Sequence, residues 1–227
     1  GYRGLIIETH ENFKDVNIEG NIITAYAGAS LTRIAHKAMD AGLSGFEFAS
    51  GIPGTFGGAC IMNAGAYGGE MKHVLVSARA LTQDGTVVSI DKQDMDLGYR
   101  SSVFSKKGYI VLEGKIELKE GKRTDIKSRM DDLSFQRSSK QPLEYPSAGS
   151  TFKRPEGYFA GKLIQDSGLS GVCVGGAMVS TKHNGFVINA DNATTTDVVN
   201  LMNKVIQTVN EKFGVTLEPE VKRIGEF

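Results

Sequence analysis

The sequence predicts an α+β fold, and three observations carry that reading. Val74–Thr82 and Thr86–Ile90 read as strands joined by Asp84-Gly85, a strong hairpin signal. From about Thr124 the texture changes: Ile126 to Arg137 is polar and helix-prone, and short helices mixed with short strands follow. No GxGxxG follows a strand and no GK[ST] P-loop is present, and hairpins in the first half argue against a doubly wound parallel sheet.

The elements follow in order. Leu5-Ile6-Ile7 reads as a strand, and Ile22 to Ala27 alternates as another. Ser30 is placed to cap a helix whose apolar positions are Leu31, Ile34, Ala35, Ala38 and Met39, with Gly42 where a C-terminal glycine belongs. Residues 51–70, GIPGTFGGACIMNAGAYGGE, form a glycine-rich loop with a helix start near Gly57-Gly58-Ala59, whose amides can face an aromatic or anionic ligand closely. Tyr109–Leu118 is a further strand. After the turn-rich connection SSKQPLEYPSAGSTFKRP, Phe159 to Asp166 is a short helix ending near Gly168. Thr194 to Asp197 matches a capping box, and Val198, Leu201, Met202, Val205, Ile206 and Val209 make one apolar, core-facing stripe ending before Gly214. A domain boundary is expected near residues 118–125.

Bulk properties exclude several function classes. Lys plus Arg equals Asp plus Glu at 26 each, so no net field recruits nucleic acid or an anionic membrane. A neutral surface without an apolar stripe makes a monomer the expectation. Glycine is the outlier at 28 of 227, above the usual ~7%. Cys60 and Cys173 lie in apolar or glycine-rich surroundings without a CxxC partner, and both read as buried thiols of a reducing, cytoplasmic compartment. His10, His36, His73 and His183 lack metal-ligand spacing, so no protein-ligated metal is expected. No run of about eighteen apolar residues and no signal peptide is visible. The chain opens without an initiator Met in mid-pattern, which leads us to expect an earlier segment in the natural protein.

Glycine in a regular element costs stability, so residues 51–70 need either a tightly packed bend or close approach of a ligand; composition alone admits both. Three further places stand out. Arg100, in Tyr99-Arg100-Ser101-Ser102, offers a permanently charged fork that matches a carboxylate, although a lone arginine is ordinarily a surface residue. Ser150 puts a hydroxyl in the small-residue turn Ala148–Phe152, where a serine alone is a turn or cap residue. Glu220 stands after Pro219 in Leu217–Val221, where a glutamate alone is a solvated charge.

Taken together and in order, GIPGTFGGACIMNAGAYGGE, YRSSVF, PSAGSTFKRP and LEPEVKRIG resemble the UDP-N-acetylenolpyruvoylglucosamine reductase family over nearly the whole chain. The resemblance implies a flavoenzyme of bacterial peptidoglycan synthesis, and hence of cell-wall biogenesis, cell shape and division. It implies an FAD-binding domain of the vanillyl-alcohol-oxidase/PCMH type over residues 1–120, its N-terminal pyrophosphate-loop segment missing. A smaller α+β substrate-binding domain would follow over 121–215, and a tail over 216–227 would return to the active site. Arg100 matches the arginine of the family's YR motif, Ser150 the serine of its AGS motif and Glu220 the glutamate of its PEV motif. NADPH would reduce FAD, and hydride would pass from flavin N5 to C3 of the enolpyruvyl group of UDP-N-acetylglucosamine-enolpyruvate. Arg100 and Glu220 would stabilise the developing charge, and Ser150 would protonate C2.

On this reading the flavin lies against the glycine-rich wall, with Ile52, Pro53, Gly54, Gly57 and Gly58 as contacts and Asn63 and Ala64 beside them. Lys140, Lys153 and Lys182 are candidates for the UDP diphosphate, each otherwise a solvated surface charge. The span from Arg100 to Leu118 is too short for the insertion that carries a substrate-covering tyrosine in one branch, so the shorter branch is expected. Two competing hypotheses are another FAD-dependent oxidoreductase of the same fold, such as an alcohol oxidase, and a non-catalytic nucleotide-sugar-binding protein. Neither requires Arg100, Ser150 and Glu220 together.

Overall fold

The structure, a computed structural model, describes residues 1–225, and its chain divides into two compact units. One is Ile6–Arg137; the other joins Gly1–Leu5 to the chain from Ser138 onward.

The first unit is built on hairpins. Strands β1 (Val16–Glu19) and β2 (Ile22–Tyr26) pair antiparallel with Val16 opposite Ala25. The turn between them holds Gly20 at φ +59°, a conformation without penalty for glycine. Helix α1 (Leu31–Asp40) is capped by the Ser30 hydroxyl, which accepts the Arg33 N–H, and buries the five apolar positions expected from its spacing. A short strand β3 (Leu43–Ser44) leads to α2 (Phe56–Met62) in the glycine-rich segment. The segment then folds back as a small hairpin, β4 (Gly65–Ala66) and β5 (Gly69–Glu70), and runs into α3 (Met71–Val74). Strands β6 (Leu75–Leu81) and β7 (Val87–Asp91) form the hairpin that Asp84-Gly85 announces. After α4 (Val103–Lys107), strand β8 (Ile110–Glu117) enters between β2 and β6 and completes an antiparallel sheet of order β1-β2-β8-β6-β7. The two-residue β9 (Lys119–Glu120) pairs with β3, and α5 (Arg123–Lys140) buries Ile126, Met130 and Leu133 at helical spacing.

Ile23, Ile34, Phe56, Leu75 and Ile116 are fully buried in the core of this unit. Each such side chain contributes about 1.5–3 kcal/mol relative to exposure. Phe56 packs over the central strand, where a Cβ on Gly114 would meet its ring at 2.9 Å; this seats α2 against the sheet. Cys60 is buried in α2, and burial pushes its thiol pKa up, which makes it an inert core residue.

The second unit has a four-stranded antiparallel sheet. Its strands are β10 (Ser147–Ser150), β11 (Cys173–Val174), β12 (Ala177–Val179) and β13 (Phe186–Asn189), in the order β10-β13-β12-β11. Helices α6 (Ala160–Asp166) and α7 (Thr195–Phe213) pack on each other, and α7 lies against β11, β12 and β13. The capping box at Thr194 is complete: its hydroxyl accepts the Asp197 N–H at 3.1 Å, and Asp197 accepts the Thr194 N–H at 2.9 Å. Leu201, Met202, Val205 and Val209 face the core and Gly214 ends the helix at φ +67°. Glu226 and Phe227 of the expected tail lie outside the described residues.

Two expectations are corrected. Leu5-Ile6-Ile7 is not a strand; these residues are 82, 72 and 79% exposed, and an apolar triplet without a partner strand among the described residues has no ladder to join. Cys173 is exposed rather than buried, because it sits on the edge strand β11, where apolar neighbours in sequence do not guarantee cover.

Candidate active site

The glycines of residues 51–70 divide into two groups. A Cβ on Gly57 would stand 2.8 Å from Ala27 Cβ, and one on Gly69 would enter the Phe48 ring at 2.4 Å, so these two answer to packing. Gly58 does not. It is exposed in the first turn of α2, and an added Cβ would meet only Thr55 Oγ1, at 3.5 Å. Alanine there would fit the protein and favour the helix by about 1 kcal/mol. Gly54 is likewise exposed, with open space where a Cβ would point, and Ile52 and Pro53 adjoin it. Gly54 holds a φ of +158°, which itself favours glycine, so it is Gly58 that keeps a side chain off an exposed surface without a structural need, which fits a flat ligand lying on this wall.

The amides near the helix start do not form the expected cradle. Phe56 N–H donates to Ala29 O and Gly57 N–H to Ala27 O, both at 2.8 Å. Gly58 N–H is taken by Thr55 Oγ1 and Ala59 N–H by Thr55 O. This helix start is bound to its own protein, and what it offers outward is surface without side chains. A Cβ on Gly51 would stand 3.3 Å from the half-buried Arg137 stem, and burial lowers that guanidinium's pKa.

Arg100 sits in a tight turn in which Gly98 and Ser101 exchange backbone hydrogen bonds of 3.0 and 3.3 Å. Its φ is +52°, at a turn position that glycine or asparagine ordinarily takes. Holding a non-glycine residue there costs on the order of 1 kcal/mol, and such outliers cluster at functional sites. The guanidinium lies 5.3 Å from the centre of the exposed Tyr99 ring. Two side chains fasten this turn. Asn63 Nδ2 donates to Gly98 O at 3.1 Å, and the fully buried Ser102 donates from Oγ to Ile61 O at 2.7 Å while capping α4. Asn63, expected as a ligand contact, is 2% exposed, and both ends of its side-chain amide are bonded within the protein. Ala64 follows it, half-buried against the core.

In the second unit Ser150 ends β10 opposite Phe186, and the register shifts between Ser147 and Ser150. Gly149, at φ +80°, lies within that shift, and irregularities of this kind re-aim the following side chain. Ser150 is exposed while Thr151 turns inward, its Oγ1 accepting the Val187 N–H at 2.9 Å. The tail returns along the same segment. Phe152 and Pro219 form an antiparallel bridge, Lys153 N–H donates to Glu218 O and Glu220 N–H donates to Thr151 O, each at 2.8 Å. Ser150 and Glu220 are thus brought together from positions seventy residues apart, whereas Arg100 belongs to the first unit.

The candidate lysines all fall in the second unit. Lys153 pairs with Glu218, Lys182 lies 3.4 Å from Glu144, and Lys140 is exposed at the end of α5. Exposed pairs of this kind contribute little, about 0–1 kcal/mol, so an anionic ligand can displace them. Next to Lys182, burial holds the His183 imidazole below its ordinary pKa. Its Nδ1 accepts the Gly185 N–H at 3.2 Å and its ring stands edge-on to Phe186 at 4.8 Å. The fastening of the Arg100 turn and the Gly149 bulge were not read from the sequence, although Asn63 just after a helix is a legible left-handed cap. Among the described residues no cluster of three or more metal-ligating side chains forms, and no helix is long and apolar enough to cross a membrane.

Comparisons with known proteins agree along the chain. The family described as UDP-N-acetylenolpyruvoylglucosamine reductase, C-terminal domain, matches residues 141–224, and the FAD binding domain family matches residues 1–91. A UDP-N-acetylenolpyruvoylglucosamine reductase of Exiguobacterium sibiricum is 57% identical over 226 residues, which span 100% of this chain and 74% of that protein. One from Clostridium perfringens is 54% identical over 225 residues, 99% of this chain and 74% of its own. The crystal structure of UDP-N-acetylenolpyruvylglucosamine reductase from Thermus caldophilus superposes with a TM-score of 0.75 at 36% identity, covering 87% of this chain and 71% of that one.

Proposed function

The chain belongs to the UDP-N-acetylenolpyruvoylglucosamine reductase family, and on that premise we propose that it reduces the enolpyruvyl group of UDP-N-acetylglucosamine-enolpyruvate to give UDP-N-acetylmuramate. It is an oxidoreductase of peptidoglycan synthesis with FAD and NADPH as its cofactors. FAD held at the glycine-rich wall and reduced by NADPH would supply hydride chemistry to C3 of the enolpyruvyl group. The wall of Ile52, Pro53, Gly54 and Gly58 holds the flat ring, with Gly57 and Ala64 packed behind it, while Asn63, whose amide is bonded wholly within the protein, does not touch the ring. Lys140, Lys153 and Lys182 meet the diphosphate of the substrate.

Arg100 and Glu220 act on the charge that hydride addition creates. The alkene electron pair moves toward C2 and its carboxylate, giving an enediolate-like anion. The Arg100 guanidinium faces that carboxylate as a fork, and the Glu220 carboxyl contributes by donating its O–H to the same group from the tail. Ser150 gives its Oγ proton to C2 and regains one from the proton the overall reduction consumes. A hydroxyl is a weak acid in water, so this transfer requires a strongly basic enolate and a dry site. The observation that carries the reading is the 2.8 Å bond from Glu220 N–H to Thr151 O, which ties the Glu220-bearing tail to the strand that ends in Ser150.

The test is anaerobic. NADPH should bleach the visible flavin band of the purified protein, and UDP-N-acetylglucosamine-enolpyruvate should restore it. Bleaching by an alcohol, recovery of colour only when oxygen is admitted, and none with the enolpyruvyl substrate would instead identify an oxidase. The flavin wall has its own test in Gly58→Ala. The apoprotein should melt a few degrees higher, as about 1 kcal/mol of helix propensity gives, while its Kd for FAD rises. An unchanged Kd would remove Gly58 from the wall.

A further inference from the structure

We propose that Asn63 is a positioning residue that sets the orientation of the turn bearing Arg100, acting through Gly98. This deepens the proposed function and rests on its reading of Arg100 as the group that faces the substrate carboxylate. Asn63 ends α2 in the left-handed region, at φ 43°, which aims its short side chain back across the first unit. There it joins three segments. Its Oδ1 accepts the Lys72 N–H at 2.9 Å, and its Nδ2 donates to Glu70 Oε2 at 2.9 Å and to Gly98 O at 3.1 Å.

The chemistry of the partners fixes which way the amide points. A carboxylate and a carbonyl only accept, and a backbone N–H only donates, so the reverse orientation loses all three bonds. The Glu70 carboxyl is held ionised, its pKa lowered first by Lys72, whose Nζ lies 3.0 Å away, and then by Asn63. With that carboxylate fixed as an acceptor, the second Nδ2 hydrogen is left for Gly98 O. Gly98 in turn exchanges two backbone hydrogen bonds with Ser101 across the turn that keeps Arg100 at φ +52°. Ser102, two residues after Arg100, is bolted separately to Ile61 O at 2.7 Å. Both sides of the arginine turn are therefore anchored to the last turn of α2 or the residue that ends it. Asn63 caps the short helix that carries Gly58 of the wall in its first turn, so the orientation of Arg100 is referred to the surface proposed to hold the flavin.

Asn63→Gly is the first test, because glycine keeps the left-handed helix end without strain and removes only the side chain. The expected result is a loss on the order of 10- to 100-fold in the rate at which the enolpyruvyl substrate restores flavin colour, the scale of a small misplacement of a catalytic group. Bleaching by NADPH and FAD content should not change, and amide hydrogen exchange at Ser101 should accelerate. Asn63→Ala, which removes the same hydrogen bonds without the chain freedom of glycine, should show the same selective loss and serves if the glycine variant does not fold. In the Arg100→Lys background, Asn63→Gly should cost little more. Losses that multiply across the two sites, or that fall equally on bleaching and restoration, would overturn the positioning role. Normal restoration in Arg100→Lys alone would instead sink the reading of Arg100 itself, a separate outcome from normal restoration in Asn63→Gly with Arg100→Lys impaired.

Discussion

Ser150→Ala is expected to leave NADPH bleaching of the flavin intact while slowing recovery by UDP-N-acetylglucosamine-enolpyruvate about 10²- to 10⁴-fold, the usual contribution of a positioned proton donor. The effect is selective because the hydroxyl enters only after hydride has reached the substrate. Structure gives little reason for a folding defect. Ser150 is exposed, and it is the neighbouring Thr151 that turns inward, with a hydroxyl that accepts the Val187 N–H. The alanine variant keeps the β10–β13 pairing and the Gly149 bulge, so FAD content and substrate Kd should stay near normal. A rapid-mixing trace in which the alanine variant recovers colour at the normal rate would remove Ser150 from the reaction.

Arg100→Lys is the second large effect, a fall of about 10²- to 10³-fold in the same recovery step, with charge conserved. An ammonium cannot reproduce the planar two-point contact of a guanidinium on a carboxylate. The substitution also isolates chemistry from strain. Lysine and arginine carry the same Cβ, so the φ of +52° costs both about the same, and the variant should melt close to the parent temperature. Near-normal turnover would mean that the strained turn presents Arg100 for some other reason.

Local signals were legible where one short segment decides the outcome. Ser30 and Thr194 announce their helices because capping is settled within four residues, and Asp84-Gly85 announces its hairpin for the same reason. Strand β1 was missed: Val-Asn-Ile-Glu is four residues long and becomes a strand only through β2. Leu5-Ile6-Ile7 and Cys173 went the other way, since apolar neighbours in sequence say nothing about whether a partner strand or a covering helix arrives. At the candidate site a fork, a hydroxyl and a carboxyl were each weak signals alone, and became readable only because their motifs together and in order resemble one family. Their geometry was not. The left-handed turn at Arg100 depends on Asn63, thirty-five residues before the Gly98 it bonds, and the Ser150 strand receives the tail through the Phe152–Pro219 bridge. Long-range contacts of this kind leave no local period in the sequence.

The glycine-rich segment shows the same division inside twenty residues. Composition could not separate packing from ligand approach. Added Cβ atoms separate them: Gly57 and Gly69 would collide with the protein, whereas Gly58 would not. Only the second kind of glycine argues for a ligand.

The central claim is that Arg100 and Ser150 act on one developing charge. Stopped-flow recovery of flavin colour by UDP-N-acetylglucosamine-enolpyruvate, measured in Arg100→Lys, Ser150→Ala and the double variant, tests it most directly. Groups that serve a single transition state are strongly non-additive, so the double variant should be little slower than the worse single variant. Two losses that simply multiply, as for independent sites, would contradict the account.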